Sequence, residues 1–140
     1  MSPSPLPVPE GDADSAPFWD GVRRGEVLLV HCAACEQYSF FPRVLCPHCH
    51  ASDLEWRPAA GTGVVYSYTV AHRTAPAFAE HAPLTIGLVD LDEGPRIMAH
   101  LAGDEPVAIG DRVRVAFATT DDQPQLFWFV RDAGGQASGT

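Results

Sequence analysis

Two closely spaced pairs of cysteines set the first requirement on how this 140-residue chain folds. Two residues separate Cys32 from Cys35 and Cys46 from Cys49, and ten residues lie between the pairs. A two-residue spacer lets one tight turn direct both sulfurs to a single point, and two such turns complete a tetrahedron of thiolates, which Zn²⁺ accepts without strain. The spacing therefore predicts one structural zinc ion per chain, held by these four cysteines.

Three other uses of the cysteines stay open at this point. Iron bound as in rubredoxin uses similar turns, but a glycine usually follows each pair there, whereas Glu36 and His50 occupy those positions here. Any Cys-x-x-Cys sequence can serve as a redox dithiol, although two pairs this close favour a metal. Disulfide bonds require an oxidising compartment, which nothing in the sequence indicates.

Three histidines, His31, His48 and His50, lie beside the cysteines. Four thiolates already fill a tetrahedral site, so no position is left at which the metal could bind a substrate. We therefore predict that the histidines flank the site or orient its ligands. His48, inside the second pair, is the best candidate to replace a displaced cysteine.

The segment before the cysteines, SAPFWDGVRRGE (15–26), predicts a short amphipathic helix. Ser15 can cap this helix, Pro17 suits its first turn, and Gly25 ends it. Its apolar side chains share one face, which either packs on the core or docks on a partner. These side chains are Phe18, Trp19 and Val22.

The remaining segments predict a mainly β protein. VLLVH (27–31) and LEWRP (54–58) are short strands on either side of the cysteine region. Five more apolar segments follow, with no helical segment among them, and this number of short strands predicts a small Greek-key barrel of the OB type. They are GTGVVYSYTVAHR (61–73), LTIGLVDLD (84–92), RIMAHLAG (96–103), IGDRVRVAFATT (109–120) and LFWFV (126–130). In the fourth, Val113, Val115 and Phe117 face one way and Arg112 and Arg114 the other.

These features divide the chain into four parts. Residues 1–16 are predicted to be a disordered tail, 17–58 the N-terminal helix and zinc ribbon, 59–132 the OB fold, and 133–140 a second disordered tail. The first tail is rich in proline and acidic residues and the last in small residues. Neither tail contains enough apolar surface to order itself.

Composition narrows the range of partners. The net charge is −9, and all nine basic residues are scattered arginines, whereas a nucleic-acid binder needs clustered cations. Nucleic acid is therefore not an expected partner, although a single-stranded nucleic-acid module is the alternative that OB-type strands suggest.

The apolar runs are far too short to span a bilayer, and the N-terminus lacks the features of a signal peptide. We therefore predict a cytoplasmic protein without membrane association.

A candidate binding site lies in the loop 71–84. Arg73 could meet a phosphate there, Phe78 an apolar group, and His72 lies beside them; the alternative is a solvated hairpin loop. No nucleophile elbow, phosphate-binding loop or zinc-protease motif is present, so no catalytic residue is predicted.

Three aromatic residues on predicted strands, Tyr66, Tyr68 and Trp128, form a second candidate. In an OB fold such residues can stack on bases. The acidic charge of the chain instead favours a place in the barrel core or in a dry contact with another subunit.

Several stretches together resemble a known family. PFWDGVRRGEVLLVHCAAC, FPRVLCPHC, LEWRPAAGTGVVYSYTVAHR, LDEGPRIMAHL and IGDRVRVAF occur in that order. They resemble the small acyl-CoA-associated family that joins a rubredoxin-like zinc ribbon to an OB fold, and the likeness covers residues 16–131. By position, Cys32, Cys35, Cys46 and Cys49 match the zinc ligands of that family.

The resemblance implies an accessory subunit that is not an enzyme by itself. Members of the family pair with thiolase-like proteins, including lipid-transfer-type thiolases, in hetero-oligomers that act in acyl-CoA thiolysis or condensation, steroid side-chain retro-aldol cleavage or acyl transfer. The partner carries the chemistry and binds the CoA ester. By this resemblance the small subunit would line the CoA channel with His72, Arg73 and Phe78; a stand-alone CoA-binding protein is the alternative.

Overall fold

The computed structural model describes residues 12–102, 106–120 and 123–132. Within these ranges the chain forms one α-helix, one 3₁₀ helix and eight strands. In chain order they are α1 (Ala16–Arg23), β1 (Leu28–Cys32), β2 (Tyr38–Ser39), β3 (Leu54–Pro58), β4 (Thr62–Ala71), the 3₁₀ helix (Pro76–His81), β5 (Leu84–Leu91), β6 (Arg96–Ala102), β7 (Arg112–Thr120) and β8 (Gln123–Arg131). The mainly β fold predicted from the sequence is confirmed.

The cysteine region is built on a small antiparallel sheet with the strand order β2-β1-β3. The central strand β1 is buried along its whole length and ends at Cys32, which pairs with Leu54 of β3. Strands β1 and β3 match the two short predicted strands. Strand β2 was not predicted, because a two-residue strand is too short to show an alternating pattern.

The five later strands close into a barrel with the order β4-β5-β6-β8-β7. All pairings in the barrel are antiparallel except that of β6 with β8. The alternation predicted for β7 is confirmed, since Val113 is fully buried and Val115 and Phe117 pack against the buried clusters. Each of the five predicted segments forms one barrel strand.

Helix α1 lies against the barrel, so its apolar face packs on the core. Phe18 and Val22 are buried, and the ring of Phe18 contacts that of Phe127 on β8 at a centroid distance of 5.6 Å. Gly25 follows the helix with a φ of 79°, a conformation that glycine adopts without strain, and its amide donates to the carbonyl of Val22.

The predicted side-chain cap of α1 is wrong in its detail. Ser15 occupies the cap position, but its backbone is helical (φ −95°, ψ −2°) rather than extended, and its side chain makes no cap hydrogen bond. The hydroxyl instead donates to Oδ1 of Asp12 at 2.9 Å. The helix begins at Ala16, inside the predicted first tail. Residues 1–11 of that tail and the second tail, 133–140, lie outside the described residues.

The ribbon and the barrel share a hydrophobic core. Leu29 of β1 is fully buried and belongs to the same cluster as Val65, Val89, Val113 and Phe129 of the barrel. The amide of Ala59 also donates to the carbonyl of Val27 at 2.8 Å, next to the predicted boundary at residue 58. The two units therefore support each other's folding.

The connection between β4 and β5 differs from the unbroken loop that we predicted. It contains the 3₁₀ helix Pro76–His81, in which a proline occupies the first turn, where its fixed φ is tolerated. Over the described ranges, no helix has both the length and the apolar character needed to cross a bilayer.

An ion pair joins the loop after β5 to β7. Both terminal nitrogens of Arg112 donate to the carboxylate of Asp92, at 2.8 and 2.9 Å, and the Thr62 hydroxyl donates to it as well. The hydrogen bonds from Arg112, together with that from Thr62, outweigh the opposing effect of burial and hold the pKa of Asp92 below its ordinary value. The carboxylate is therefore stabilised in its charged form.

We expect Asp92→Asn to lower the free energy of unfolding by about 1 kcal/mol or less at pH 7, since the pair is partly exposed. A carboxyl group with a lowered folded-state pKa contributes stability above its unfolded pKa, about 4, and loses it as the pH falls through the folded value. Urea unfolding at pH 7 and about pH 3 should therefore show a difference from wild type that shrinks in acid. Asp20→Asn, on the surface of α1, is the control, and an equal difference at both pH values would contradict the prediction.

Candidate metal centre

The structure brings the four predicted cysteine ligands together. All four Sγ atoms lie within 4.8 Å of one another, and two of the separations, Cys32 to Cys49 and Cys35 to Cys46, are 3.6 Å. A tetrahedral zinc ion with Zn–S bonds of about 2.3 Å places its sulfurs about 3.8 Å apart. The sulfur positions therefore fit one tetrahedral metal ion.

The two cysteine turns repeat the same backbone hydrogen bonds. In the first, the amide of Glu36 donates to the carbonyl of Cys32, and the amide of Cys32 donates to Gln37. In the second, His50 donates to Cys46, and Cys46 donates to Ala51. The backbone thus holds both pairs in one geometry, as a site shaped for a single metal requires.

The residue after each turn adopts a left-handed conformation. Glu36 has a φ of 61° and His50 a φ of 66°, and they are the only non-glycine residues with positive φ among those described. This conformation explains why glycine suits these positions in rubredoxin-type turns. The absence of glycine therefore does not prevent the turns from forming, but it places two side chains in a strained conformation.

We expect His50→Gly to raise the free energy of unfolding by about 0.5–1 kcal/mol, because glycine adopts a positive φ without strain. The control is Ser52→Gly, at an exposed position without a positive φ, where the same change should lower stability. Thermal unfolding of the zinc-loaded proteins measures both effects. A loss of stability in both variants would contradict the prediction.

The sulfurs differ in how readily they lose protons. Burial, together with hydrogen bonding from the neighbouring thiols, raises the pKa of Cys35 to about 12. Burial also acts on Cys46, but the amides of His48 and Cys49 outweigh it and lower the pKa of that thiol to about 6. Four thiolates this close repel one another, so a divalent cation is the group that allows all of them to be deprotonated.

The three neighbouring histidines lie outside the group of ligand atoms. His48 and His50 are exposed. His31 is buried and its ring lies 4.8 Å from that of Tyr38, and its Nδ1 has no hydrogen-bond partner in the described part of the chain. None of the three histidines joins the group of ligand atoms in the described part of the chain, and their role beside the site stays a prediction.

The candidate residues of the loop 71–84 separate in the structure. His72 and Arg73 are exposed just beyond the end of β4. Phe78, on the 3₁₀ helix, is half-buried, and its ring packs edge-on against His100 of β6 at 6.2 Å. The first two can meet a ligand from solvent, whereas Phe78 forms part of an apolar wall.

The aromatic residues predicted on strands also differ from one another. Tyr66 and Tyr68 are 49% and 42% exposed, so a place in the barrel core is wrong for both tyrosines. The guanidinium of Arg96 lies 3.4 Å from the ring centroid of Tyr66, which is a cation–π contact on the barrel surface. Trp128 is half-buried and lines a cavity beside Phe127.

Sequence reasoning missed an apolar surface between the two cysteine turns. Phe41, Val44 and Leu45, here called the ribbon tip, are 66%, 86% and 50% exposed. Three large apolar side chains within five residues predict burial, and only the structure shows that they face solvent. Such exposed apolar groups are typical of protein contacts.

The fold and the cysteine centre define a zinc-ribbon protein with a C-terminal OB barrel. Residues 19–55 match the sequence profile of the ChsH2 rubredoxin-like zinc ribbon domain, and residues 56–118 match that of the ChsH2 C-terminal OB-fold domain. The chain belongs to the ChsH2/DUF35 family. The resemblance stated from the sequence is thereby confirmed.

Two similar proteins match this chain over different shares of their own length. The probable enoyl-CoA hydratase alpha subunit of Thermomonospora curvata is 36% identical over 121 residues, which are 86% of this chain but 37% of that protein. A DUF35 domain-containing scaffold protein of Methanocaldococcus jannaschii is 32% identical over 103 residues, which are 71% of this chain and 73% of that protein. The chain therefore spans well under half of the hydratase subunit.

A solved structure, the Ltp2–ChsH2(DUF35) aldolase, contains a chain with the same fold. The two superpose with a TM-score of 0.76 and are 35% identical. The match covers 88% of this chain and 98% of that one.

Proposed function

We propose that this chain is an accessory subunit, without catalytic residues of its own, in a hetero-oligomer with a thiolase-like or lipid-transfer-type protein that acts on acyl-CoA. The observation that carries the proposal is the likeness to the matched chain of the Ltp2–ChsH2(DUF35) aldolase, which covers 98% of that chain. The descriptions of two relatives, an alpha subunit and a scaffold protein, also support a role in assembly.

The metal in this proposal is one structural Zn²⁺ per chain. Its four thiolate ligands complete a tetrahedral shell, so the ion holds the ribbon together and takes no part in substrate chemistry. The reducing cytoplasm, where cysteines stay available to bind a metal, is the proposed location.

The ribbon tip is the proposed contact with the partner. A loop held at both ends by metal ligands presents its apolar side chains at little further cost in conformational entropy, which favours affinity. Val44, two residues before Cys46 in this loop, is 86% exposed. Burial of such side chains in a partner pocket is the usual source of binding energy in a protein interface.

The exposed pair His72 and Arg73 is the proposed contact with CoA bound by the partner. A guanidinium group can donate two hydrogen bonds to one phosphate, and CoA carries several phosphate oxygens. Both side chains are accessible from solvent, so they can face a partner subunit without rearrangement of the barrel.

We expect the tagged chain to co-elute with the thiolase-like or lipid-transfer-type protein encoded beside it when the two are co-expressed. Val44→Asp should weaken the complex at least about tenfold, because it places a charge in an apolar contact. Ile109→Asp, at an apolar position with 66% exposure on the barrel, is the matched control and should leave binding unchanged. Separate elution, with a partner that is fully active alone, would contradict the proposal.

A further inference from the structure

A cavity of about 290 Å³ opens where the helix, the ribbon, the 3₁₀ helix and the barrel meet. Its walls are mainly aromatic and come from five separate segments of the chain, which are α1, the ribbon, the 3₁₀ helix, β6 and β8. The six aromatic rings are those of Phe18, Trp19, Phe40, Phe78, Phe127 and Trp128. Junctions between structural units and the mouths of β-barrels are common places for small-molecule sites.

The cavity follows from the way the barrel closes. Among the described residues, β6 and β8 pair in parallel at two positions, Leu101 with Phe129 and Ala102 with Val130. Met98 and Leu126 precede these positions on the two strands and line the cavity. The contact between β6 and β8, here called the β6–β8 seam, is therefore hydrogen-bonded at one end and open at the other. The side chains of α1 and the 3₁₀ helix approach the open end.

Ring-to-ring contacts hold the walls in place. Phe18 contacts Trp19 at a centroid distance of 5.0 Å, Phe40 at 5.4 Å and Phe127 at 5.6 Å. Phe78 is held against His100 on another wall. A site whose walls already pack against one another needs little ordering when a ligand enters.

The chemistry of the lining selects against charge. Among the lining residues that the structure describes there is no Asp, Glu or Arg, and His100, packed on Phe78, is the one titratable side chain. A charged group that entered would lose its hydration without gaining a counter-charge. An apolar cavity of about 150 Å³ can hold one benzene ring, so this cavity has room for about two rings.

We propose that this cavity is a binding site for an uncharged, apolar group of about two rings, which stacks against the aromatic walls. The site belongs to the chain itself and does not depend on the proposed accessory function. Met98 is 69% exposed and stands at the opening, where it controls access.

The test uses the full-length, zinc-loaded chain with 2-naphthol as the probe and naphthalene-2-sulfonate as its charged counterpart. Calorimetry should show one saturable site for 2-naphthol, at least about tenfold tighter than for the sulfonate. In NMR spectra the indole N–H signals of Trp19 and Trp128 should shift, whereas that of Trp56, which lines a different cavity, should not.

Two variants locate the site. Met98→Asp should weaken 2-naphthol binding about tenfold, because it places a charge at the opening. Ile109→Asp, at a position of nearly equal exposure, should leave binding unchanged. Phe78→Ser, on a different wall of the cavity, should also weaken 2-naphthol binding. This second variant keeps the test valid if Met98→Asp fails to fold.

Four results would overturn the proposal. They are no saturable binding of 2-naphthol, equal binding of the sulfonate, a shift of the Trp56 signal in place of those of Trp19 and Trp128, and equal loss in Met98→Asp and Ile109→Asp.

Discussion

Cys46→Ser is expected to abolish zinc binding and to unfold the zinc ribbon. Cys46 is buried, and its sulfur lies 3.6 Å from that of Cys35 and accepts a hydrogen bond from the amide of His48 at 3.3 Å. A structural zinc site contributes on the order of 10 kcal/mol to folding, which is comparable to the whole net stability of an ordinary domain. The loss of one of the four ligands should therefore be the most damaging of the substitutions considered.

The damage should extend into the barrel. Strand β1 ends at Cys32, and Leu29 of that strand belongs to the barrel core. We expect zinc analysis to show about one zinc per wild-type chain and none in the variant, with a large fall in the thermal unfolding midpoint.

His48→Gln is the matched control for this experiment. His48 lies between the two cysteines of the second turn, but its side chain is exposed, and it is the backbone amide that contacts the sulfur of Cys46. The control should keep its zinc and its unfolding midpoint. A Cys46→Ser protein with one zinc per chain and a wild-type midpoint would refute the structural role of the metal.

Gly63→Ala is expected to destabilise the barrel by about 3 kcal/mol. A Cβ atom on Gly63 would lie 2.4 Å from the carbonyl oxygen of Asp90 and 2.9 Å from Cγ1 of Val89. The first contact is with backbone, so it cannot be relieved by rotation of a side chain. Strand β5 would have to move away from β4, where Gly63 pairs with Leu91.

Thr69→Ala, at an exposed position on the same strand, is the control and should cost less than about 1 kcal/mol. Urea unfolding of the zinc-loaded proteins measures both changes. If Gly63→Ala were as mild as the control, β5 would have to lie farther from β4 than the structure shows.

The close approach of neighbouring strands to the start of β4 explains why glycines occupy positions 61 and 63. Gly61 has a φ of 80°, and a Cβ there would lie 2.7 Å from Cγ1 of Val115. Gly63 lies against the backbone of β5. The Gly-x-Gly pattern at residues 61–63, within the stretch LEWRPAAGTGVVYSYTVAHR that resembles the family, is thus a requirement of barrel packing.

Features that depend on neighbours in the chain could be predicted from the sequence. The two-residue spacing of the cysteines brings each pair of sulfurs to one point, whatever else the chain does. The alternation of Val113, Val115 and Phe117 with arginines marks the inner face of β7 because side chains in a strand point to alternate sides. Gly25 marks the end of α1 because glycine readily adopts the positive φ found there.

Features that depend on contacts between distant segments could not be predicted in this way. No pattern in the sequence predicts that Tyr66 lies on the barrel surface in contact with Arg96. Nor does any pattern predict that Leu29 of the ribbon belongs to the barrel core. The predicted cap of α1 is wrong for a local reason, since the Ser15 hydroxyl donates to Asp12, three residues earlier, and makes no hydrogen bond to the helix amides.

The sequence by itself therefore predicted the four cysteine ligands, the five barrel strands in their order along the chain and the family, since each depends on residue type and spacing along the chain. The three-dimensional structure alone established the exposed ribbon tip, the shared core and the aromatic cavity at the β6–β8 seam. These arise where segments up to about a hundred residues apart meet, as Phe18 and Phe127 do. Packing between such segments is set by the shapes of all of them together, and no local pattern of residues encodes it.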